Sequence, residues 1–154
     1  MPLDVASVLS DSIAQLMVIA DRRRIDIDIG FDGQTSVTVT APPAELRSIF
    51  GNLIDNALRH SPEGSVVDVR LHAVDGQPVV DVVDNGPGIP PEAIDRAFDR
   101  FFRVPGTTAE GSGLGLAIAQ MAAQRNGMRI ALSNRTDDSG AVCGLVARVH
   151  LRSA

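Results

Sequence analysis

The chain has 154 residues, a formal charge of −5 from 14 basic and 19 acidic residues, 44% hydrophobic residues and a mean hydropathy of +0.10. These values describe one soluble globular domain with a sizeable core, and they argue against nucleic acid as a partner. A single cysteine, Cys143, excludes an internal disulfide framework; all 14 cations are arginines, which excludes a Walker loop, the strand lysine of Ser/Thr/Tyr kinases and Schiff-base chemistry.

The chain opens on Met1-Pro2-Leu3-Asp4, without the basic start and apolar stretch of a secretory signal. Nowhere does an apolar run reach the roughly 18 residues of a membrane span. Val5 to Arg24 reads as a helix, because Val8, Leu9, Ile13, Leu16, Met17 and Ala20 recur at three- and four-residue intervals. The alternating Ile25-Asp26-Ile27-Asp28-Ile29 and Val37-Thr38-Val39 read as strands, with a turn at Asp32-Gly33. Pro42-Pro43 opens an amphipathic helix over about Ala44 to His60, whose apolar face is Leu46, Ile49, Phe50, Leu53, Ile54, Ala57 and Leu58. Ser61-Pro62-Glu63-Gly64 ends it. Ser65–Ala73 and Pro78–Val83 read as paired strands around Asp75-Gly76, the second nearly continuous in apolar residues. Asp84 to Ser112 is mostly loop, with a short helix near Pro91–Ala97; a loop this long inside a compact domain is usually functional. Gly113 to Asn126 reads as a third long helix with Leu114, Leu116, Ala117, Ile118 and Met121 inward, stopped at Gly127. Met128–Ser133 and Leu145–Leu151 supply the last strands. The expected fold is α+β, a two-layer sandwich of a mixed, mostly antiparallel sheet of about five strands on three helices.

Four short blocks carry chemistry. Asn52 and Asn56 share one helix face, with Asp55 between them and Arg59 one turn on. An asparagine offers a carbonyl oxygen to Mg²⁺ or an amide to a phosphate oxygen, and Arg59 could hold a phosphate; the plain alternative is a solvated helix face. Asp84-Asn85-Gly86-Pro87-Gly88-Ile89-Pro90 follows a buried strand. Read alone, Asn-Gly marks a turn. The two glycines also permit close approach to a flat ligand, and a carboxylate there can accept from the exocyclic amine of adenine. Phe98, Phe101 and Phe102 lie within five residues, interleaved with Arg100 and Arg103; they read as a local staple and as anchors for a lid. Gly111-Ser112-Gly113-Leu114-Gly115-Leu116 opens a helix without following a strand. It does not fit a dinucleotide fingerprint, but it leaves amides free for phosphate at a helix start; the alternative is a flexible glycine-rich entry. His60, His72 and His150 show no metal-ligand spacing.

In this order and spacing the four blocks resemble the ATP-binding catalytic domain of bacterial sensor histidine kinases, within the superfamily of gyrase-type, heat-shock and mismatch-repair ATPases. The resemblance runs from about Asp4 to Leu151. It implies ATP and Mg²⁺ as cofactors, with Asn52 coordinating the metal and Asn56 as a second polar contact. Arg59 and His60 match positions that approach the phosphates. Asp84 matches the carboxylate that binds the adenine amine, with Gly86, Gly88 and Ile89 along that wall. Phe98, Phe101, Phe102 and Arg103 match the lid's phenylalanine block, and Gly111, Gly113, Leu114, Gly115 and Leu116 match the second glycine block. Asn52, Arg59 and Arg103 are the residues it implies for catalysis.

Two departures from the pattern are informative. Ser48 stands four residues before Asn52, where the resemblance expects the water-activating glutamate of the ATPase branches. Hydrolysis is therefore expected to be poor and transfer to another acceptor preferred. No phosphoacceptor histidine hairpin is present, so residues 1–154 are expected to form one catalytic domain excised from a longer receptor. The implied partners are that hairpin and, through it, a response regulator. The domain is expected to be cytoplasmic, monomeric when isolated and not itself inserted in the membrane, as part of an inner-membrane receptor. Two competing readings are a free-standing anti-sigma-factor Ser/Thr kinase and a nucleotide-sensing module without transfer activity. The segment from about Phe98 to Ser112 is expected to be a lid ordered by nucleotide.

Overall fold

The computed structural model describes residues 2–31, 37–99 and 114–152. Its elements are β1 (Pro2–Asp4), α1 (Val5–Arg22), β2 (Asp26–Phe31), β3 (Thr38–Thr40), α2 (Pro43–His60), β4 (Val66–Val74), β5 (Gln77–Val83), a short 3-10 helix (Pro91–Arg96), α3 (Gly115–Arg125), β6 (Arg129–Thr136) and β7 (Val142–His150). The expected α+β sandwich is the fold found. One sheet has the order β2-β4-β5-β7-β6; β2 runs parallel to β4 and every other pairing is antiparallel. The three-residue strands β1 and β3 form a separate antiparallel pair. β1 is too short to carry a periodicity signal in the sequence.

The layers follow from side-chain alternation. Val67, Val69 and Leu71 of β4, Val80 and Val82 of β5, and Ala147 and Val149 of β7 point to the helices. There they meet Leu46, Ile49, Phe50, Leu53, Ile54 and Leu58 of α2 and Val5, Val8 and Leu9 of α1. α2 lies centrally, packed on both α1 and α3. The alternate residues form the opposite face, which is charged. Asp81 accepts hydrogen bonds from Arg148 Nε (2.7 Å) and Nη2 (2.8 Å), and its Oδ2 lies 2.7 Å from His72 Nε2. Arg70 Nη2 reaches Asp28 Oδ2 at 3.3 Å.

α3 departs from the expected orientation. Ile118 and Met121 are exposed, and the residues turned inward are Ala117, Ala119, Ala122 and Ala123. Leu116 and Ala117 do face inward as expected; small side chains let α3 lie close against α2, and Ile118 and Met121 then fall outside the contact. Among the described residues the helix runs from Gly115; the expected start at Gly113 lies outside them. On α1, Met17 is 38% exposed although it shares the helical spacing of the buried Val8, Leu9 and Ala20.

Candidate functional site

The loop leaving β5 is the best-defined part of the site. Asp84 is 3% exposed. Its Oδ1 accepts two backbone N–H groups, from Gly86 (2.9 Å) and from Leu145 of β7 (3.2 Å). The first is a local Asx turn, which the Asp-Asn-Gly sequence favours. The second ties the loop to the sheet, together with the Asp84 N–H to Leu145 carbonyl bond (3.0 Å). Among the described residues nothing bonds to Oδ2, so one carboxylate oxygen stays available to a ligand. Burial pushes the Asp84 carboxyl above its ordinary pKa, against the opposing pull of the two amides and of Arg135.

The glycines of this loop are required by contact and by backbone angle. A Cβ on Gly86 would stand 2.5 Å from the His60 carbonyl oxygen, so only glycine lets the loop lie against the end of α2. Gly88 adopts φ +71°, the left-handed region. Ile89 is buried with Ala93, Ala97 and Leu145 in a small cluster against which Leu116 packs. This cluster joins the loop after β5 to the first turn of α3.

α2 contributes the second wall. Asn52 donates its Nδ2 to the Ser48 carbonyl (2.8 Å) and to Ser48 Oγ (3.3 Å). That fixes the amide orientation and turns Oδ1 toward α3, where a Cβ on Gly115 would lie 3.3 Å from it. Asn56, one turn on, is half-buried and its side chain makes no hydrogen bond among the described residues. Arg59 pairs with Asp55 through Nε at 3.0 Å. His60 is half-buried, and its pKa is pushed down by burial first and then by Arg23 and Arg59. Arg23 caps the helix, donating to the carbonyls of Leu58 (2.7 Å), Arg59 (2.6 Å) and Ser61 (2.9 Å).

Leu114, Gly115 and Leu116 sit at the start of α3, where helix N–H groups lack intrahelical partners. Phe98 packs against the main core. The structure thus brings Asn52 beside Gly115, His60 beside Gly86, and Ile89 beside Leu116. Arg103, Gly111 and Gly113, with Phe101, Phe102 and most of the expected lid, lie outside the described residues.

Sequence reasoning missed two residues of β6. Asn134 exchanges two hydrogen bonds with the backbone of Ile89, and Arg135 donates to the Asp84 carbonyl and to Asn85 Oδ1. They lie some fifty positions from the loop, and no local pattern marks them.

Comparison with known proteins follows the same lines. Sensor protein QseC of Escherichia coli strain K12 is 42% identical over 127 residues, covering 82% of this chain; the chain spans 27% of the length of QseC. A solved mycobacterial sensor histidine kinase, MprB, superposes with a TM-score of 0.86 at 29% identity, over 99% of this chain and 98% of that one. Full-length ShkA, solved in complex with AMPPNP, gives a TM-score of 0.82 at 25% identity, over all of this chain and 31% of that one. Residues 41–153 match the family described as histidine kinase-, DNA gyrase B- and HSP90-like ATPase. The chain belongs to that family.

Proposed function

We propose that this domain binds Mg-ATP and passes the γ-phosphoryl group to a histidine on a separate dimerisation hairpin of the same receptor, for relay to a response regulator. Asp84 carries the reading. It is a buried carboxylate with one oxygen saturated by backbone amides and the other open, beside glycines that permit a flat ring to approach. The open Oδ2 is an acceptor for the exocyclic amine of adenine, and a guanine base has a carbonyl at that place.

The phosphates are assigned to the start of α3, beside Asn52 of α2. The N-terminal amides of α3 and its dipole favour negative charge. Asn52 Oδ1 faces that helix start, and Asn56 adds an amide with no partner among the described residues. These carbonyl oxygens fit a hard divalent cation. Among the described residues no three His, Cys, Asp or Glu side chains gather as ligands, so phosphate and water would complete the shell. Bound there, Mg²⁺ would offset the charge of the transferring phosphoryl group. Arg59 and, outside the described residues, Arg103 are the cations assigned to the phosphates.

Transfer to a histidine elsewhere is favoured over hydrolysis because Ser48 stands where the resemblance expects the water-activating glutamate. Ser48 and Asn52 of α2 are not carboxylates, and Ser48 Oγ is an acceptor for Asn52. The similarity to QseC and MprB, both named as sensor proteins or kinases, favours this reading over a Ser/Thr kinase or a binding-only module. No helix among the described residues is long and apolar enough to cross a membrane, and use of ATP supports a cytoplasmic setting for the domain. The test is to mix the domain with ATP and a separately made histidine hairpin. Acid-labile phosphate on the hairpin is expected, with slow ATP hydrolysis by the domain alone. Rapid hydrolysis without transfer would overturn it.

A further inference from the structure

We propose that Asn134 and Arg135 of β6 are positioning residues for the base-binding loop, and that through Asp84 they set the preference for adenine over guanine nucleotides. The inference rests on the nucleotide reading above and names residues that reading does not use.

The geometry is that of a clamp at both ends of one loop. Arg135 Nη1 donates to the Asp84 carbonyl oxygen (3.0 Å) and to Asn85 Oδ1 (2.8 Å), where the loop leaves β5. Asn134 Oδ1 accepts from the Ile89 N–H (2.8 Å) and its Nδ2 donates to the Ile89 carbonyl (2.7 Å), where the loop ends. Both partners of Asn134 are backbone, so its side chain replaces a ladder bond the loop lacks. β5 and β6 are not neighbours; β7 lies between them. The loop crosses the end of β7 at Gly144, the register partner of Arg135, where a Cβ would overlap the Asp84 carbonyl oxygen.

The clamp bears on recognition because of which atoms it leaves alone. Arg135 bonds the backbone of Asp84 and not its carboxylate, so it fixes the residue without occupying Oδ2. Its charge also counters the upward push of burial on the Asp84 carboxyl and so favours the ionised acceptor. The other titratable group at the loop, His60, faces it through its backbone carbonyl beside Gly86. The hydrogen bonds of Asn134 and Arg135 go to Asp84, Asn85 and Ile89 and not to Asn52 or the start of α3 among the described residues, so the clamp acts on the base and not on the metal.

The test is calorimetric titration of ATP and GTP, each with and without Mg²⁺, into wild type, Asn134→Ala, Asn134→Asp, Arg135→Ala and Arg135→Lys, with melting temperatures alongside. Loss of one or two hydrogen bonds should weaken Mg-ATP binding by about three- to tenfold in the alanine variants. GTP binding should change little, so the ATP-to-GTP preference narrows, while the ratio of affinities with and without Mg²⁺ stays at the wild-type value. Asn134→Asp, which keeps the acceptor for the Ile89 N–H, and Arg135→Lys, which keeps the charge, should recover part of the loss. They also preserve the test if an alanine variant fails to fold. Folded variants with unchanged ATP affinity, or with ATP and GTP weakened equally, would overturn the positioning role alone. Wild type that fails to bind ATP, or that does not prefer it to GTP, would overturn the nucleotide reading and this inference with it.

Discussion

Asp81 lies within β5 and Asp84 just beyond its end, and both are buried, at 6% and 3% exposure. Their surroundings are opposite. Both oxygens of Asp81 are engaged by Arg148, with His72 at Oδ2 as well, on the charged face of the sheet. Burial alone would raise its pKa, but the Arg148 and His72 contacts outweigh it and hold the carboxyl below the usual range. Asp84 has neutral amides on one oxygen only, and there burial wins. A buried acid whose acceptors are all satisfied holds a fold together. One left half satisfied is a pre-formed acceptor for something else.

The largest expected effect is at the half-satisfied acid. Asp84→Asn should cost about 1.5–3 kcal/mol of nucleotide binding, roughly tenfold or more in affinity, because it replaces an ionised acceptor. Folding stability should be unchanged or higher, since a buried charge is removed. Calorimetry and thermal melting on the same variant check both halves. Asp81→Asn should do the reverse. It strands Arg148 and should lower stability by about 1–3 kcal/mol, read by denaturant unfolding, with Mg-ATP affinity near wild type.

Smaller effects sharpen the division between base and phosphate. Asn52→Ala and Asn56→Ala should each weaken Mg-ATP by about three- to tenfold while adenosine affinity holds, because the loss falls on the metal and phosphates. Equal losses for both ligands would make these asparagines structural. The pH response is subtler. Asp84 has a raised folded pKa, so its ionisation opposes folding: its contribution to stability is present below the unfolded pKa and lost as pH rises through the folded one. Asp81 has a depressed folded pKa, so its contribution is present above the unfolded value and lost as pH falls through the folded one. On acidification, adenosine binding should therefore weaken before the Asp81 contribution to stability is lost. Paired binding and melting curves from neutral pH downward would show it.

The helix and the loop that frame Asp84 were legible in the sequence, for local reasons; the satisfied partners of Asp81 were not. α2 was readable because its apolar residues repeat at helical spacing with a proline at the start. The loop after β5 was readable because Asn-Gly marks a turn and two glycines after a buried strand permit a close approach. What stayed hidden is long-range. Asn134 and Arg135 act on a loop across an intervening strand, and Arg23 caps a helix thirty-five positions away. The orientation of α3 was misread because Ile118 and Met121 fit a helical stripe as well as the alanines do, and only the closeness of α2 decides which stripe is buried.

The central claim is that Asp84 receives the adenine ring while Asp81 does not take part. The most direct measurement is a heteronuclear amide titration of the domain with Mg-ATP. The Gly86 and Leu145 amides, which bond Asp84 Oδ1, should shift strongly, as should Gly115 and Leu116 at the start of α3. The amides of Val80 and Val82, flanking Asp81, should stay near their free positions. Shifts centred on the Asp81, His72 and Arg148 face, or none at Gly86 and Leu145 at saturating nucleotide, would contradict the account.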